Sequence, residues 1–184
     1  MRSHEDIAAF LQGQSHIMSL LRAVAALRIA DCWVGAGVIR DAVWDHLHGF
    51  RIEPSTTGDV DVVFCDHGEA CLERDLAIEL RLLREFPGIP WSVHNQARMY
   101  ERNGDAPYYN TEDAIRCWPE TATAIAARIF AGSVQVIAPH GIDDLVHMVV
   151  RPTPAFARKL PIYRRRLAAK NWARRWPRLE FMDH

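Results

Sequence analysis

Val34-Gly35-Ala36-Gly37-Val38-Ile39-Arg40-Asp41, followed after a gap by Asp59-Val60-Asp61-Val62-Val63-Phe64, is the stretch from which the fold is read. Residues two apart on a strand point to one face, so Asp59 and Asp61 project together while Val60, Val62 and Phe64 pack on the other side. At about 3.3 Å of rise per residue their Cβ atoms lie roughly 6 to 7 Å apart. Two ionised carboxylates at that separation repel by roughly 2 to 3 kcal/mol at an effective dielectric near 20. A divalent cation removes the conflict, and Mg2+ (or Mn2+) suits a site of one or two carboxylates that keeps its other positions for water and phosphate. The alternative is an exposed edge strand with a solvated acidic face.

Cys32-Trp33-Val34 reads as a short apolar strand and Val38 onward as a helix, which puts Gly35, Ala36 and Gly37 at a strand-to-helix turn. Backbone amides at a helix N-terminus, unobstructed by side chains, form an anion site suited to phosphate. Glycines also serve ordinary tight turns, so the signal lies in the turn together with the acidic strand.

A Gly-rich turn, Val-Ile-Arg-Asp opening a helix and Asp-x-Asp on the next strand together resemble the DNA polymerase β-type nucleotidyltransferase superfamily. The pair Arg40-Asp41 is closest to the CCA-adding enzymes. Asn95-Gln96-Ala97-Arg98-Met99, Ala138-Pro139-His140-Gly141-Ile142-Asp143-Asp144-Leu145 and Arg151-Pro152-Thr153-Pro154 resemble a bacterial family of nucleotidyltransferase-like proteins, and that resemblance runs across most of the chain. It implies an α+β fold, a mixed five-stranded sheet flanked by helices. It also implies Asp59 and Asp61 as metal ligands and catalytic residues, with an NTP as substrate. Gly35, Ala36, Gly37, Arg40, Asp41 and Arg98 are the candidate nucleotide-binding residues. Arg40 and Asp41 either help recognise the base or brace the turn; Arg98 either pairs its planar fork with a phosphate or forms a salt bridge. Superfamily transferases usually add a carboxylate from a neighbouring strand, and Trp91 to Gln96 carries none. His94 or Asn95 is the candidate substitute ligand, with an ordinary structural role as the alternative.

The chain has 184 residues, 49% hydrophobic and 24% charged, which describes one ordinary globular domain. His4, Glu5 and Asp6 stand where a signal peptide needs basic and then apolar residues, and no segment approaches a membrane span; the expected location is cytoplasmic. Cys32, Cys65, Cys71 and Cys117 are too few and scattered for a disulfide framework or a zinc site. No Walker A sequence, H-E-x-x-H pair or G-x-S-x-G elbow is present.

The net charge of −1 hides an asymmetry: residues 151–184 carry ten basic side chains against two acidic, whereas the first 150 carry 12 basic against 21 acidic. The domain is accordingly read as a core over 1–150 and a basic helical extension over 151–184. That extension offers a surface for RNA or another polyanion, or else docks on the acidic body. Trp172, Trp176 and Pro177 are expected to fasten it.

Elsewhere, Ser3 caps a first helix, Gly13 separates it from a second ending near Arg28, and Asp66 is the candidate cap of a strongly apolar helix. That helix carries Leu72, Leu76, Ile78, Leu80, Leu83 and Phe86 and stops at Pro87-Gly88. Ser55, Thr56 and Thr57 sit in a polar connection beside the acidic strand, as phosphate contacts or as plain loop. Tyr108 and Tyr109 stack on a base or pin their loop to the body, and Asn110 or Thr111 caps a short helix. Ile89 to Gln96, Thr121 to Ile129 and Ser133 to Ile137 read as strands, the last two joined by a hairpin at Ala131-Gly132. A helix starting at Gly141 gives way at Pro152 and Pro154 to a basic one over Ala155 to Lys170. The expected activity is Mg2+-dependent transfer of a nucleoside monophosphate from an NTP to a hydroxyl acceptor. The alternative is a catalytically inactive nucleotide- or RNA-binding protein of the same fold.

Overall fold

The computed structural model describes residues 1–52 and 58–183, so Ser55, Thr56 and Thr57 lie outside the described residues. The chain runs α1 (His4–Gln12), α2 (Ser15–Ala25), β1 (Trp33–Gly35), α3 (Gly37–Leu47), β2 (Val60–Phe64), α4 (Leu72–Glu85), β3 (Trp91–Asn95) and α5 (Met99–Asn103). It continues through α6 (Thr111–Arg116), β4 (Ala126–Phe130), β5 (Ser133–Ile137), α7 (Asp143–Val146), β6 (Val149–Val150), α8 (Pro154–Ala157), α9 (Leu160–Lys170), α10 (Trp172–Arg175) and β7 (Glu180–Phe181). Five strands form a mixed sheet in the order β3-β2-β1-β4-β5, parallel between β2 and β3 and antiparallel elsewhere, and helices flank it: an α+β fold. A separate parallel pair, β6 with β7, ties down the C-terminal end.

Local chemistry sets several boundaries. The Ser3 hydroxyl accepts the Asp6 amide at 3.2 Å, and Asn110 does the same for Asp113 at 2.8 Å, so α1 and α6 start where an N-cap was read. Ala131 and Gly132 both have positive φ, +49° and +81°, the requirement of a two-residue hairpin turn. Strand alternation divides the sheet faces cleanly: Val34, Val62 and Ala127 join the main core, while Trp33, Val63 and Ala126 join a smaller cluster under Ile115 of α6.

Other expectations are corrected. The strand expected from Thr121 begins only at Ala126, because buried Glu120 holds the Thr123 and Ala124 amides in a turn through its carbonyl. Asp66 does not cap α4, which starts at Leu72; its carboxylate accepts the Gly68 amide and Arg74 instead. The basic helix is broken in two, α8 and α9, because Pro161 has no N–H to continue a helix and its ring clashes with the preceding turn. The leucines of α4 do not enter the core together: Leu82 is buried, whereas Leu72, Leu76, Leu80 and Leu83 face outward.

Candidate active site at the strand-to-helix turn

β1 ends at Gly35, directly in register with Asp61 of antiparallel β2. Gly35 is required for packing: a Cβ there would stand 2.6 Å from the Trp118 ring. The conformational burden of the turn falls on Ala36, at φ +48° and ψ −112°, a region that non-glycine residues rarely occupy. The Ala36 amide donates to the Ile125 carbonyl at 2.9 Å, anchoring the turn to the segment leading into β4. Gly37, Val38 and Ile39 then open α3, and the first-turn amides of a helix have no partner within it.

Asp59 and Asp61 lie on the face opposite the buried Val60, Val62 and Phe64, and both line one cavity of about 700 Å³ together with Ala36 and Gly37. Burial strips water from Asp61, and Asp59 repels its charge; against the pull of Lys170, Arg166 and Arg40 these raise its pKa from 3.8 to about 6. The sequence-level conflict between two close acids is thus felt in the folded chain. A hard divalent cation fits this donor set, because it would relieve the repulsion and leave coordination positions for phosphate and water. Among the described residues no group of three or more His, Cys, Asp or Glu side chains gathers in metal-binding fashion.

Arg40 and Asp41 also line the cavity, as a bracing pair. The Arg40 Nε and Nη2 donate to Asp41 Oδ1 at 3.0 and 2.6 Å, and Nη1 donates to the Thr123 hydroxyl at 3.0 Å. Its guanidinium stacks on Trp172 and Trp44, 4.3 and 5.0 Å from the ring centroids, so it is held on every side.

The remaining candidates are elsewhere. Arg98 pairs with the buried Asp75 of α4, which also accepts the Asn95 amide at 3.0 Å; Arg98 does not line the cavity. Asn95 is fully buried and committed, donating to the Asp66 and Glu69 carbonyls and accepting the Asp66 and Ala97 amides. His94 shares the sheet face of Asp61 but sits opposite Val63, bonded to Ser92 at 3.0 Å, with burial lowering its pKa. The β3 residue beside Asp61 is Ser92, so the neighbouring strand brings a hydroxyl rather than a third carboxylate. Tyr108 is buried and bonded to Asp105 and Asn103, which makes it a pin for its own loop, while Tyr109 is exposed.

The cavity's opposite wall was not assigned from the motifs: it is the C-terminal segment, with Arg166, Lys170, Arg174 and Arg175 facing the acids. Of the two readings of the basic extension, docking on the acidic body is seen for part of its cations. Arg166 reaches the buried Glu120 at 2.7 Å, and Arg175 with the Trp176 indole reaches the buried Asp45 at 2.7 and 2.8 Å. Trp172 and Trp176 pack edge-on against Trp44, fastening the segment as expected. Lys170 and Arg174 are exposed toward the cavity and, among the described residues, their side chains take part in no hydrogen bond or ion pair. The available signal was the charge asymmetry, which located the cations without locating the wall they form.

A family model described as nucleotidyltransferase matches residues 22–181, so the chain belongs to that family. A solved structure described as revealing a CCA-adding enzyme head domain superposes over 100% of this chain and 98% of its own, with TM-score 0.88 and 28% identity. The Bacillus stearothermophilus CCA-adding enzyme in complex with CTP matches with TM-score 0.52 and 18% identity over 87% of this chain and 40% of its own. A CCA-adding enzyme in complex with ATP matches with TM-score 0.53 and 16% identity over 98% of this chain and 42% of its own. At that identity these two show the fold alone, and the chain spans about two fifths of their length. No curated protein matches the sequence significantly. Family and head-domain likeness together support nucleotidyl transfer as the general chemistry.

Proposed function

We propose that the protein is a Mg2+-dependent nucleotidyltransferase that moves a nucleoside monophosphate from an NTP to a hydroxyl of RNA, a protein or a small molecule. The observation that carries this reading is the convergence of Asp59, Asp61 and the opening turn of α3 on one cavity. Asp59 and Asp61 would hold the cation. Bound there, Mg2+ (or Mn2+) would neutralise triphosphate charge and lower the pKa of the attacking hydroxyl. The Gly37 to Ile39 amides would hold phosphate oxygens through the helix terminus, and Lys170 and Arg174 would offset the remaining charge from the opposite wall. Arg40 and Asp41 would keep the turn and the C-terminal segment in fixed relation. The acceptor oxygen attacks the α-phosphorus, the bond to the β-phosphate oxygen breaks, and pyrophosphate leaves. A cytoplasmic setting, where NTP and Mg2+ are both plentiful, suits the reading, and no helix among the described residues is long and apolar enough to cross a membrane.

The test is incorporation of labelled nucleotide by wild type and Asp61→Asn. The variant should keep its fold and lose incorporation; retained incorporation sinks the assignment. The hydroxyl of Ser92 where a third acid would stand favours a second reading, a catalytically inactive nucleotide- or RNA-binding protein. Calorimetry separates the two: metal-dependent triphosphate binding supports the transferase, metal-independent RNA binding the other.

A further inference from the structure

α4 presents an apolar face that nothing among the described residues covers. Leu72, Leu76, Leu80 and Leu83 are 51, 47, 59 and 37% exposed. At 100° per residue they fall within one stripe along the helix, distinct from the face that turns Asp75 and Leu82 inward. The neighbouring edge strand β3 is unavailable for strand pairing, because its Val93 and Asn95 amides already donate to the Glu79 and Asp75 carboxylates of α4, each at 3.0 Å. A chain approaching this side of the molecule meets the leucine stripe instead.

The charges beside the stripe indicate what fits it. Glu73 and Arg84 are 11 residues apart, close to three turns of about 3.6 residues, so they share one flank of the leucines at opposite ends. An antiparallel copy of the same helix, related by a two-fold axis near Ile78, brings Leu76 against the second copy's Leu80. It also brings Glu73 against Arg84, and by symmetry both contacts occur twice. In a parallel copy the two-fold axis runs along the helices and carries this flank to the opposite side of the seam, with Glu73 and Arg84 at opposite ends, so neither pair can meet.

We infer that the leucine face of α4 is a self-association surface, pairing antiparallel with α4 of a second copy of this chain. One helix face covers less than the roughly 800 Å² per partner of a standard interface, so the dimer belongs to the weak, transient class. The inference is independent of the nucleotidyl-transfer reading.

Sedimentation velocity on the full chain from about 1 to 100 µM, the range where such a dimer dissociates, tests it. Wild type should pass from monomer to dimer, and Leu76→Lys with Leu80→Lys should stay monomeric with an unchanged circular dichroism spectrum, since both side chains are exposed. Glu73→Arg and Arg84→Glu alone should each raise the dissociation constant by about tenfold, because each replaces two attractive contacts by repulsive ones, and together they should restore it. Wild type that remains monomeric across the range, including one that instead takes up a different protein there, overturns the inference. So does a dimer indifferent to the leucine variants, or a double reversal weaker than either single one.

Discussion

Asp61 is the residue at which sequence logic and folded electrostatics meet. Its pKa of about 6 in the folded chain exceeds the ordinary 3.8, so the unfolded chain gives up the proton first as pH rises. In the metal-free protein the resulting penalty is absent below about pH 4, grows between the two values and is complete above about pH 6. Asp61→Asn should therefore stabilise the metal-free protein at pH 7 by roughly 2 to 3 kcal/mol and leave it unchanged near pH 4. Denaturant unfolding in chelator at both pH values measures this, and equal stabilities at pH 7 would contradict the burial of an unrelieved charge. The turn gives a second prediction. Gly35→Ala drives a methyl into the Trp118 ring, 2.6 Å away, and should cost about 1 to 3 kcal/mol. Most of that cost should vanish in a Trp118→Leu background. Ala36→Gly should hold or raise the melting temperature, because relief of the turn's strain offsets glycine's extra entropy in the unfolded chain. The acids were legible in the sequence because two-residue alternation needs no tertiary knowledge. The division of labour within Gly35-Ala36-Gly37 was not, since it depends on Trp118, which arrives from 83 positions away.

At the scale of elements, the acidic strand, its glycine turn and the hairpin at Ala131-Gly132 could be read in advance because each is fixed by neighbours in sequence. What escaped were effects of a single distant partner. Arg98 has the side chain of a phosphate ligand, but α4 places the buried Asp75 beside it, and a buried carboxylate outcompetes a solvated ligand for a guanidinium. Arg98→Ala should consequently leave NTP affinity unaltered while costing about 3 kcal/mol of stability, the usual result of stranding a buried charge. Loss of affinity at unchanged stability would return Arg98 to the nucleotide. The leucines of α4 escaped for a related reason: a helix with apolar residues on more than one side does not declare which side meets the sheet. Here Asp75 and Glu79 decide it by taking the β3 amides, which turns the leucine stripe outward.

Over the whole molecule, the acidic body and the basic C-terminal segment fold into one cavity, and the segment's cations divide into two kinds. Arg166 and Arg175 are bound to the buried carboxylates of Glu120 and Asp45, so their charge is spent on holding the segment in place. Lys170 and Arg174 have no such side-chain partner among the described residues and face the cavity across from the acid pair. The two kinds should respond oppositely to truncation. Arg175→Ala strands the Asp45 carboxylate and should lower the melting temperature by several degrees, weakening NTP binding only through the loosened wall. Lys170→Ala with Arg174→Ala should leave the melting temperature within about a degree, because exposed side chains without partners contribute little to stability. The same pair of changes should weaken NTP binding by about tenfold or more at low salt and flatten its dependence on ionic strength, since screening acts on charges that approach from solvent. Calorimetric titration at two salt concentrations, read beside thermal melts, distinguishes the cases. An unchanged affinity and salt slope in the double variant would mean that the phosphates lie against α3 alone and that the basic wall serves only to close the cavity.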